Sequence, residues 1–143
     1  KIAADVEQTP ARSIVVTGGE PSLYPLGPLC RELKKRGLVT YLETSGTGKL
    51  TGQWDWICLS PKKQSPPAPD FYTMANELKV IVFEADDFQW AEQAAAQAGA
   101  GVRLYLQPEW SRYNQLIGPI TEYVKAHPKW QVSLQAHKFM RIP

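Results

Sequence analysis

Short apolar runs rich in β-branched residues alternate along this chain with stretches of helical periodicity. Such alternation predicts parallel strands joined by crossover helices, which is the arrangement of α/β proteins. We therefore expect a partial (β/α) barrel of mostly parallel strands. The strands are predicted at Ser13–Thr17, Val39–Glu43, Trp56–Leu59, Glu77–Phe83, Val102–Gln107 and Gln131–Gln135.

Three crossover helices are predicted between these strands, over about 25–36, 86–98 and 112–127. Gly37 gives the first helix a C-terminal stop, and Pro128 ends the third. Gly118 and Pro119 lie inside the third helix, where they are expected to kink it or to delay its start. Residues 2–6 have the pattern of the tail of a further helix, and the proline-rich segment 65–69 is predicted to be a loop insertion.

The composition indicates one soluble domain with a sizeable core, spanning residues 1–143. The hydrophobic fraction is 43% and the net charge is +2, with no concentration of basic residues that would suit nucleic acid. No apolar stretch is long enough for a membrane span, and no signal-peptide pattern is present. Cys30 and Cys58 are predicted to be buried free thiols, which favours a cytoplasmic location.

Polar residues follow five of the six predicted strands. Because the carboxyl ends of parallel strands share one face of an α/β fold, these residues are expected to line one ligand cavity. By themselves they indicate a site for a polar heteroaromatic small molecule, without naming its chemistry. The clusters are Thr17–Glu20, Glu43–Gly46, Ser60–Lys62, Gln107–Trp110 and Gln135–Lys138.

The first two clusters have both a functional and a structural interpretation. Gly18 and Gly19 would open the backbone to a ligand, and Glu20 would accept from a cationic group. Alternatively, these three residues form a tight turn with an exposed glutamate. Glu43 is either a ligand acceptor or acid–base group, or a cap for the loop that follows it.

The remaining candidates also leave two interpretations open. Lys62 suits an anionic group or a solvated turn, and His137 suits donation to a substrate oxygen or a structural contact. Trp110 is either a packing residue or a platform for a flat ring. Cys30 and Cys58 have no partners at metal-ligand spacing, so no metal site is predicted.

The segment Thr17-Gly18-Gly19-Glu20-Pro21 resembles the Gly-Gly-Glu motif of the radical S-adenosylmethionine enzymes. Gly-Gly-Glu alone marks only that superfamily. The whole series of motifs, from the first strand to the end of the chain, resembles the 7-carboxy-7-deazaguanine synthase family, known as QueE. The other motifs are Glu43-Thr44-Ser45-Gly46, Ser60-Pro61-Lys62, Gln107-Pro108-Glu109 and Ser133-Leu134-Gln135-Ala136-His137-Lys138.

The resemblance implies a radical ring contraction in the queuosine and 7-deazapurine pathway. The family converts 6-carboxy-5,6,7,8-tetrahydropterin to 7-carboxy-7-deazaguanine with loss of ammonia. The implied cofactors are S-adenosylmethionine, a [4Fe–4S] cluster and Mg²⁺, which carry the difficult chemistry. An electron donor such as flavodoxin and a homodimer are further expectations of the resemblance.

The resemblance also implies roles for individual residues. Gly18, Gly19 and Glu20 would hold the methionine amino group, with Ser45 near its carboxylate. The rest of S-adenosylmethionine would be lined by Ser60, Pro61, Lys62, Gln107, Pro108, Glu109 and Trp110. The pterin would face Thr17, Glu43, His137 and Pro143, the last through its terminal carboxylate.

One departure from the family pattern concerns the iron–sulfur cluster. The family's three grouped cysteines precede Gly-Gly-Glu, whereas Cys30 and Cys58 follow it and lie far apart. Cysteine thiolates hold such clusters, so we expect this chain to be an N-terminally truncated fragment that is inactive alone. The start at Lys1, without a methionine, suggested the same interpretation.

The sequence leaves three alternative functions open. They are a radical enzyme that activates a glycyl-radical protein, a non-catalytic adenosyl-binding module and a phosphosugar isomerase. The block Gln135–Lys138 argues against the first, because a protein substrate would not need a closed small-molecule pocket there. The isomerase would need a glycine-rich phosphate cradle near the late strands, and Gln107–Trp110 offers none.

Overall fold

A computed structural model describes residues 1–142, and the predicted substrate contact of Pro143 lies outside the described residues. Six strands form one sheet in which sequence neighbours are also spatial neighbours, and all neighbouring pairs are parallel. The predicted α/β partial barrel is confirmed. The strands are β1 Ser13–Val16, β2 Val39–Thr44, β3 Trp56–Leu59, β4 Glu77–Val82, β5 Arg103–Pro108 and β6 Trp130–Val132.

Five of the predicted strands agree with the structure to within one residue at each end, but the sixth does not. The prediction extended β6 to Gln135, which is wrong because the strand ends at Val132. The N–H of Ser133 still donates to the Leu106 carbonyl at 2.9 Å, and the chain then leaves the sheet. Gln135 is the residue that precedes a short C-terminal helix.

The predicted crossover helices are confirmed with shorter bounds, and the tail of a helix at the start of the chain is also present. Pro119 lies within the third crossover helix without delaying its start at Tyr113. Two short helices were not predicted, one beginning at Pro69 in the predicted loop insertion and one in the C-terminal motif. The helices are α1 Ile2–Glu7, α2 Gly27–Lys35, α3 Pro69–Met74, α4 Asp87–Ala95, α5 Tyr113–Ala126 and α6 Ala136–Met140. Within residues 1–142, none of these helices has the length and apolarity needed to cross a membrane.

The main hydrophobic core lies between the sheet and helices α3, α4 and α5. Leu78, Val80 and Val82 of β4 are fully buried in it, together with Phe71 of α3 and Ile120 of α5. A smaller cluster of Ala3, Leu33 and Leu38 covers the other end of the sheet. Because side chains alternate along a strand, the intervening residues of β4 face the opposite, inner side of the partial barrel.

Both cysteines are buried free thiols, as predicted. Cys30 lies on α2, where its thiol donates to the Gln53 carbonyl at 2.8 Å. Cys58 lies on β3 and faces the inner side of the sheet, where it lines a cavity with Glu43 and Glu77.

Candidate functional site

A cavity of about 750 Å³ lies at the carboxyl ends of the strands, in the size range of small-molecule sites. The structure brings nine of the predicted site residues together in its lining, from every polar cluster that was identified in the sequence. Their individual contacts with a ligand remain predictions. These nine residues are Thr17, Gly19, Glu20, Glu43, Ser45, Ser60, Lys62, Gln107 and His137.

The other described site residues do not line this cavity. Pro61 is fully buried, and Gly18 and Pro108 adjoin lining residues. Glu109 caps a short 3₁₀ turn, because its Oε2 accepts from the N–H of Ser111 at 2.9 Å. Trp110 starts that turn, and its ring centroid lies 5.9 Å from that of Tyr113 and 5.1 Å from that of Phe139, so it packs between aromatic rings, while its contact with a ligand stays a prediction.

Glu20 is a structural crosslink between two loops at the cavity entrance. Its Oε1 accepts from the N–H of Ser22 at 2.9 Å and from the Thr44 hydroxyl, and its Oε2 accepts from the N–H of Ser45 at 2.7 Å and from the Ser45 hydroxyl. Four donors therefore occupy the lone pairs of this carboxylate. Partial burial alone would raise the pKa of Glu20, but hydrogen bonds from Ser22, Ser45 and Thr44 outweigh it and lower the pKa to about 2.

We call the two loops joined by Glu20, residues 17–23 and 44–49, the rim region. Further bonds join them: the Gly48 N–H donates to the Ser22 hydroxyl at 2.8 Å, and the Lys49 N–H donates to the Ser22 carbonyl at 3.1 Å. A Cβ on Gly48 would stand 2.2 Å from the Ser22 carbonyl oxygen, so only glycine permits this approach. The rim region is held together without any ligand.

Gly18 and Gly19 bring exposed backbone to the cavity entrance. Both have positive φ values, of 86° and 52°, which favour glycine. A Cβ added to either residue would meet no protein atom within 4 Å. The space beside this backbone is therefore open, as the predicted close approach of a ligand requires.

Three charged side chains from the middle strands, Glu43, Glu77 and Lys79, line the cavity, and Cys58 lies beside them in a neighbouring cavity. The Lys79 ammonium lies 3.2 Å from Oε2 of Glu43, and the Cys58 thiol donates to Oε1 of Glu77 at 3.3 Å. Burial raises the pKa of Cys58 to about 12, so the group remains a thiol. We call these four residues the floor region.

Sequence reasoning missed part of the lining, including Glu77, Lys79 and Ile81 of β4. A signal for them existed, because they alternate with the apolar residues Leu78 and Val80. A strand with charged residues at alternate positions presents those residues to a polar space on one side. Thr44, Ser133 and Leu134 also line the cavity and were not among the predicted ligand contacts.

Lys62 has no carboxylate partner within 4 Å among the described residues, although it faces the cavity. Its ammonium lies 3.4 Å from the Ser60 hydroxyl. Burial lowers the pKa of Lys62, and the nearby charge of Lys79 lowers it further, while Glu20 opposes the shift. A cation held in this way is suited to an anionic group of a ligand.

The C-terminal side of the cavity is formed by β5, β6 and α6. The Ser133 hydroxyl donates to Oε1 of the buried Gln107 side chain at 3.1 Å. His137 is in α6. The Phe139 ring of this helix packs edge-on against Trp110 and Tyr113, each with a centroid separation of 5.1 Å, and so attaches α6 to the segment after β5. The Lys138 ammonium lies 5.4 Å from the Trp110 ring centroid.

The described residues fit a bound S-adenosylmethionine but not the metal cofactors of the predicted chemistry. The open backbone at Gly18 and Gly19, with hydroxyls and a lysine around one cavity, suits an amino acid joined to a nucleoside. Within residues 1–142, no group of three or more His, Cys, Asp and Glu side chains could hold a metal ion. Cys30 and Cys58 lie on different elements and are both buried.

Together, the fold and this cavity define a class: α/β partial barrels with a site at the carboxyl ends of parallel strands. No protein-family model matches the chain. A 7-carboxy-7-deazaguanine synthase from Flavobacterium psychrophilum is 47% identical over 133 residues, covering 93% of the chain and 63% of that relative. The synthase from Prochlorococcus marinus is 32% identical, covering 99% of the chain and 73% of its own length. The chain belongs to the 7-carboxy-7-deazaguanine synthase family.

A solved structure supports the same assignment. QueE from Escherichia coli matches with a TM-score of 0.82 and 28% identity, over 94% of this chain and 62% of that one. The chain spans 62–63% of the length of this neighbour and of the Flavobacterium relative. The resemblance recognised from the motifs is thereby confirmed at the level of the family.

Proposed function

We propose that the complete protein containing this chain is a radical S-adenosylmethionine lyase that forms 7-carboxy-7-deazaguanine. Its substrate would be 6-carboxy-5,6,7,8-tetrahydropterin, and ammonia would be lost. The observation that carries this proposal is the convergence of nine motif residues on one cavity, in a chain of this family. We also propose that this protein is a cytoplasmic homodimer that receives electrons from a flavodoxin-type donor.

In this proposal, the rim region and Lys62 hold S-adenosylmethionine. The carbonyls of Gly18 and Gly19 accept from the methionine ammonium, and the ionised Glu20 adds negative charge next to it. Both oxygens of Glu20 already accept hydrogen bonds from the rim region. Glu20 therefore acts on the ligand mainly through its charge and through the loop conformation that it stabilises. Lys62 and the Ser60 hydroxyl supply donors for carboxylate and ribose oxygens, and Ser45, whose hydroxyl donates to Glu20, lies near the methionine carboxylate. When bound, S-adenosylmethionine supplies the radical that removes a hydrogen atom from the substrate.

The pterin would lie deeper, against the floor region. Glu43 is the acceptor for N–H groups of the aminopyrimidinone ring, since its side chain is 45% exposed to the cavity. His137 and Thr17 would donate to substrate oxygens from opposite sides of the cavity.

The iron–sulfur cluster and Mg²⁺ do not fit the described residues. The relatives are longer than this chain, and we propose that the ligands of both groups lie in the part of the complete protein outside residues 1–143. Residues 1–143 alone would then form no product.

An anaerobic turnover assay of the complete protein tests the proposed function. With S-adenosylmethionine, carboxytetrahydropterin, flavodoxin and a reductant, we expect 7-carboxy-7-deazaguanine and ammonia in equal amounts. Glu43→Gln should lower kcat/KM roughly 10- to 100-fold, because one acceptor of the pterin N–H groups becomes a donor. Lys125→Met, on the exposed side of α5, should leave the rate unchanged. The absence of product from cluster-loaded wild-type protein would overturn the proposal.

A further inference from the structure

The floor region contains one charge pair that crosses a strand. In the sheet register, Glu43 of β2 pairs with Cys58 of β3, which pairs with Glu77 of β4. Lys79 lies two residues beyond Glu77 and therefore on the same face. Neighbouring strands are about 4.8 Å apart, so β2 and β4 are roughly 9–10 Å apart. The Lys79 side chain must pass over β3 to reach Glu43.

Cys58 makes this passage possible. Its side chain is small, and its thiol donates to Glu77, which leaves the Lys79 ammonium for Glu43. Among the described residues, Glu43 is the carboxylate that lies within 4 Å of this ammonium. The two carboxylates of the floor region therefore have different partners. The neutral Cys58 thiol binds Glu77, and the Lys79 cation binds Glu43.

The two members of the ion pair differ in exposure. The Lys79 side chain is 15% exposed, whereas that of Glu43 is 45% exposed. Burial alone would lower the pKa of Lys79, but the neighbouring Cys58, Glu43 and Glu77 outweigh burial and raise the pKa. The lysine is thus the more buried member, although it also lines the cavity, and the glutamate is the member that is more accessible to a ligand. No described residue donates to Oε1 of Glu43, while Oε2 is held by Lys79.

We infer that Lys79 is a positioning residue: it binds Oε2 of Glu43 and thereby presents Oε1 to an N–H group of the pterin. This inference rests on the proposed function, because it assigns the pterin to the floor region. Lys79 also offsets the repulsion between Glu43 and Glu77 across the floor. Without it, the Glu43 side chain would lose its single contact and sample other rotamers.

The inference predicts a specific loss of pterin recognition. Lys79→Met, which keeps most of the side-chain length, should weaken 6-carboxypterin binding about 10-fold or more and leave S-adenosylmethionine binding within 2-fold. It should also reduce the preference for 6-carboxypterin over 6-carboxylumazine, in which an oxygen replaces the exocyclic amine. Lys79→Arg should keep both the affinity and the preference within about 3-fold, because the cation remains.

A double-mutant cycle in the complete protein tests the inference, with calorimetry as the readout. If Lys79 acts through Glu43, Lys79→Met should have no further effect in a Glu43→Gln background. An equal loss in both backgrounds would overturn the inference, and so would wild-type binding by Lys79→Met. Lys125→Met is the control for loss of a lysine, and circular dichroism checks folding. If Lys79→Met does not fold, Lys79→Gln replaces it in the same cycle.

The failure of the inference can be distinguished from the failure of the proposed function. If the wild-type protein with S-adenosylmethionine bound shows no saturable binding of 6-carboxypterin, both are overturned. If the wild-type protein binds 6-carboxypterin and the cycle shows no coupling, only the role of Lys79 is overturned.

Discussion

Glu20 and Glu43 are two carboxylates of the same cavity with opposite environments. Glu20, in the rim region, accepts four hydrogen bonds from its own protein. Glu43, in the floor region, has one oxygen on Lys79 and the other open to the cavity. A carboxylate whose lone pairs are filled shapes a site, whereas one with an open oxygen can recognise a ligand. The same residue type therefore builds the site at the rim and presents a ligand contact at the floor.

Replacing each glutamate by glutamine gives the largest contrast between the two regions. In Glu20→Gln, an amide NH₂ replaces one of the two carboxylate oxygens. It would face either the donors of Ser22 and Thr44 or the donors of Ser45. At least one hydrogen bond would therefore become a repulsive contact between two donors. We expect a loss of about 2 kcal/mol in the free energy of unfolding, measured by urea titration of the complete protein. Glu43→Gln should cost less, about 1 kcal/mol, because the amide oxygen of the glutamine can still accept from Lys79. Equal losses would break the comparison.

The pH dependence of stability gives a somewhat smaller effect. The pKa of Glu20 is about 2 in the folded protein against an ordinary value of 4.5, so the ionised form is favoured by folding. This contribution is fully present above pH 4.5 and is lost as the pH falls from 4.5 toward 2. Glu20 is only partly buried, and after allowance for solvent screening we expect about 1–2 kcal/mol.

Unfolding titrations of wild type and Glu20→Gln at pH 6, 4 and 3 check this expectation. The stability difference between the two proteins should be largest at pH 6 and should shrink steadily below pH 4.5. A difference that stays constant over this range would show that the Glu20 charge contributes nothing to the rim region.

The rim region was largely predictable from sequence, but the inner part of the floor region was not. Thr17–Glu20 and Ser45 follow strands, and parallel topology alone brings strand ends together. Glu77 and Lys79 lie within a strand, and their alternation with Leu78 and Val80 indicates a polar face of that strand. The alternation alone does not distinguish the wall of a cavity from a face in contact with bulk solvent.

The packing of Trp110 shows a different limit of sequence reasoning. This residue lies two positions beyond β5, and the sequence leaves both a packing role and a ligand contact open. In the structure, Glu109 caps a 3₁₀ turn that directs Trp110 toward α6. That helix is five residues long and has no side-chain cap, so its sequence carries little signal and its aromatic partner could not be anticipated.

The smallest expected effect concerns α6, on the opposite side of the cavity from the rim region. Here aromatic packing replaces hydrogen bonding: Phe139 contacts Trp110 and Tyr113 while remaining 49% exposed. Phe139→Ala should therefore cost only about 0.5–1 kcal/mol in global stability.

Its local effect should be clearer, because α6 carries His137 and has few other attachments. Amide hydrogen exchange in residues 136–140 should accelerate in Phe139→Ala and remain near wild type in the control Met140→Ala, since Met140 is 61% exposed and outside the aromatic cluster. Exchange in the rim region should not change in either variant. If both variants accelerate exchange in α6 equally, the ring contacts do not hold this helix. The contrast would then lie between a rim region fixed by hydrogen bonds and a C-terminal wall held by the backbone alone.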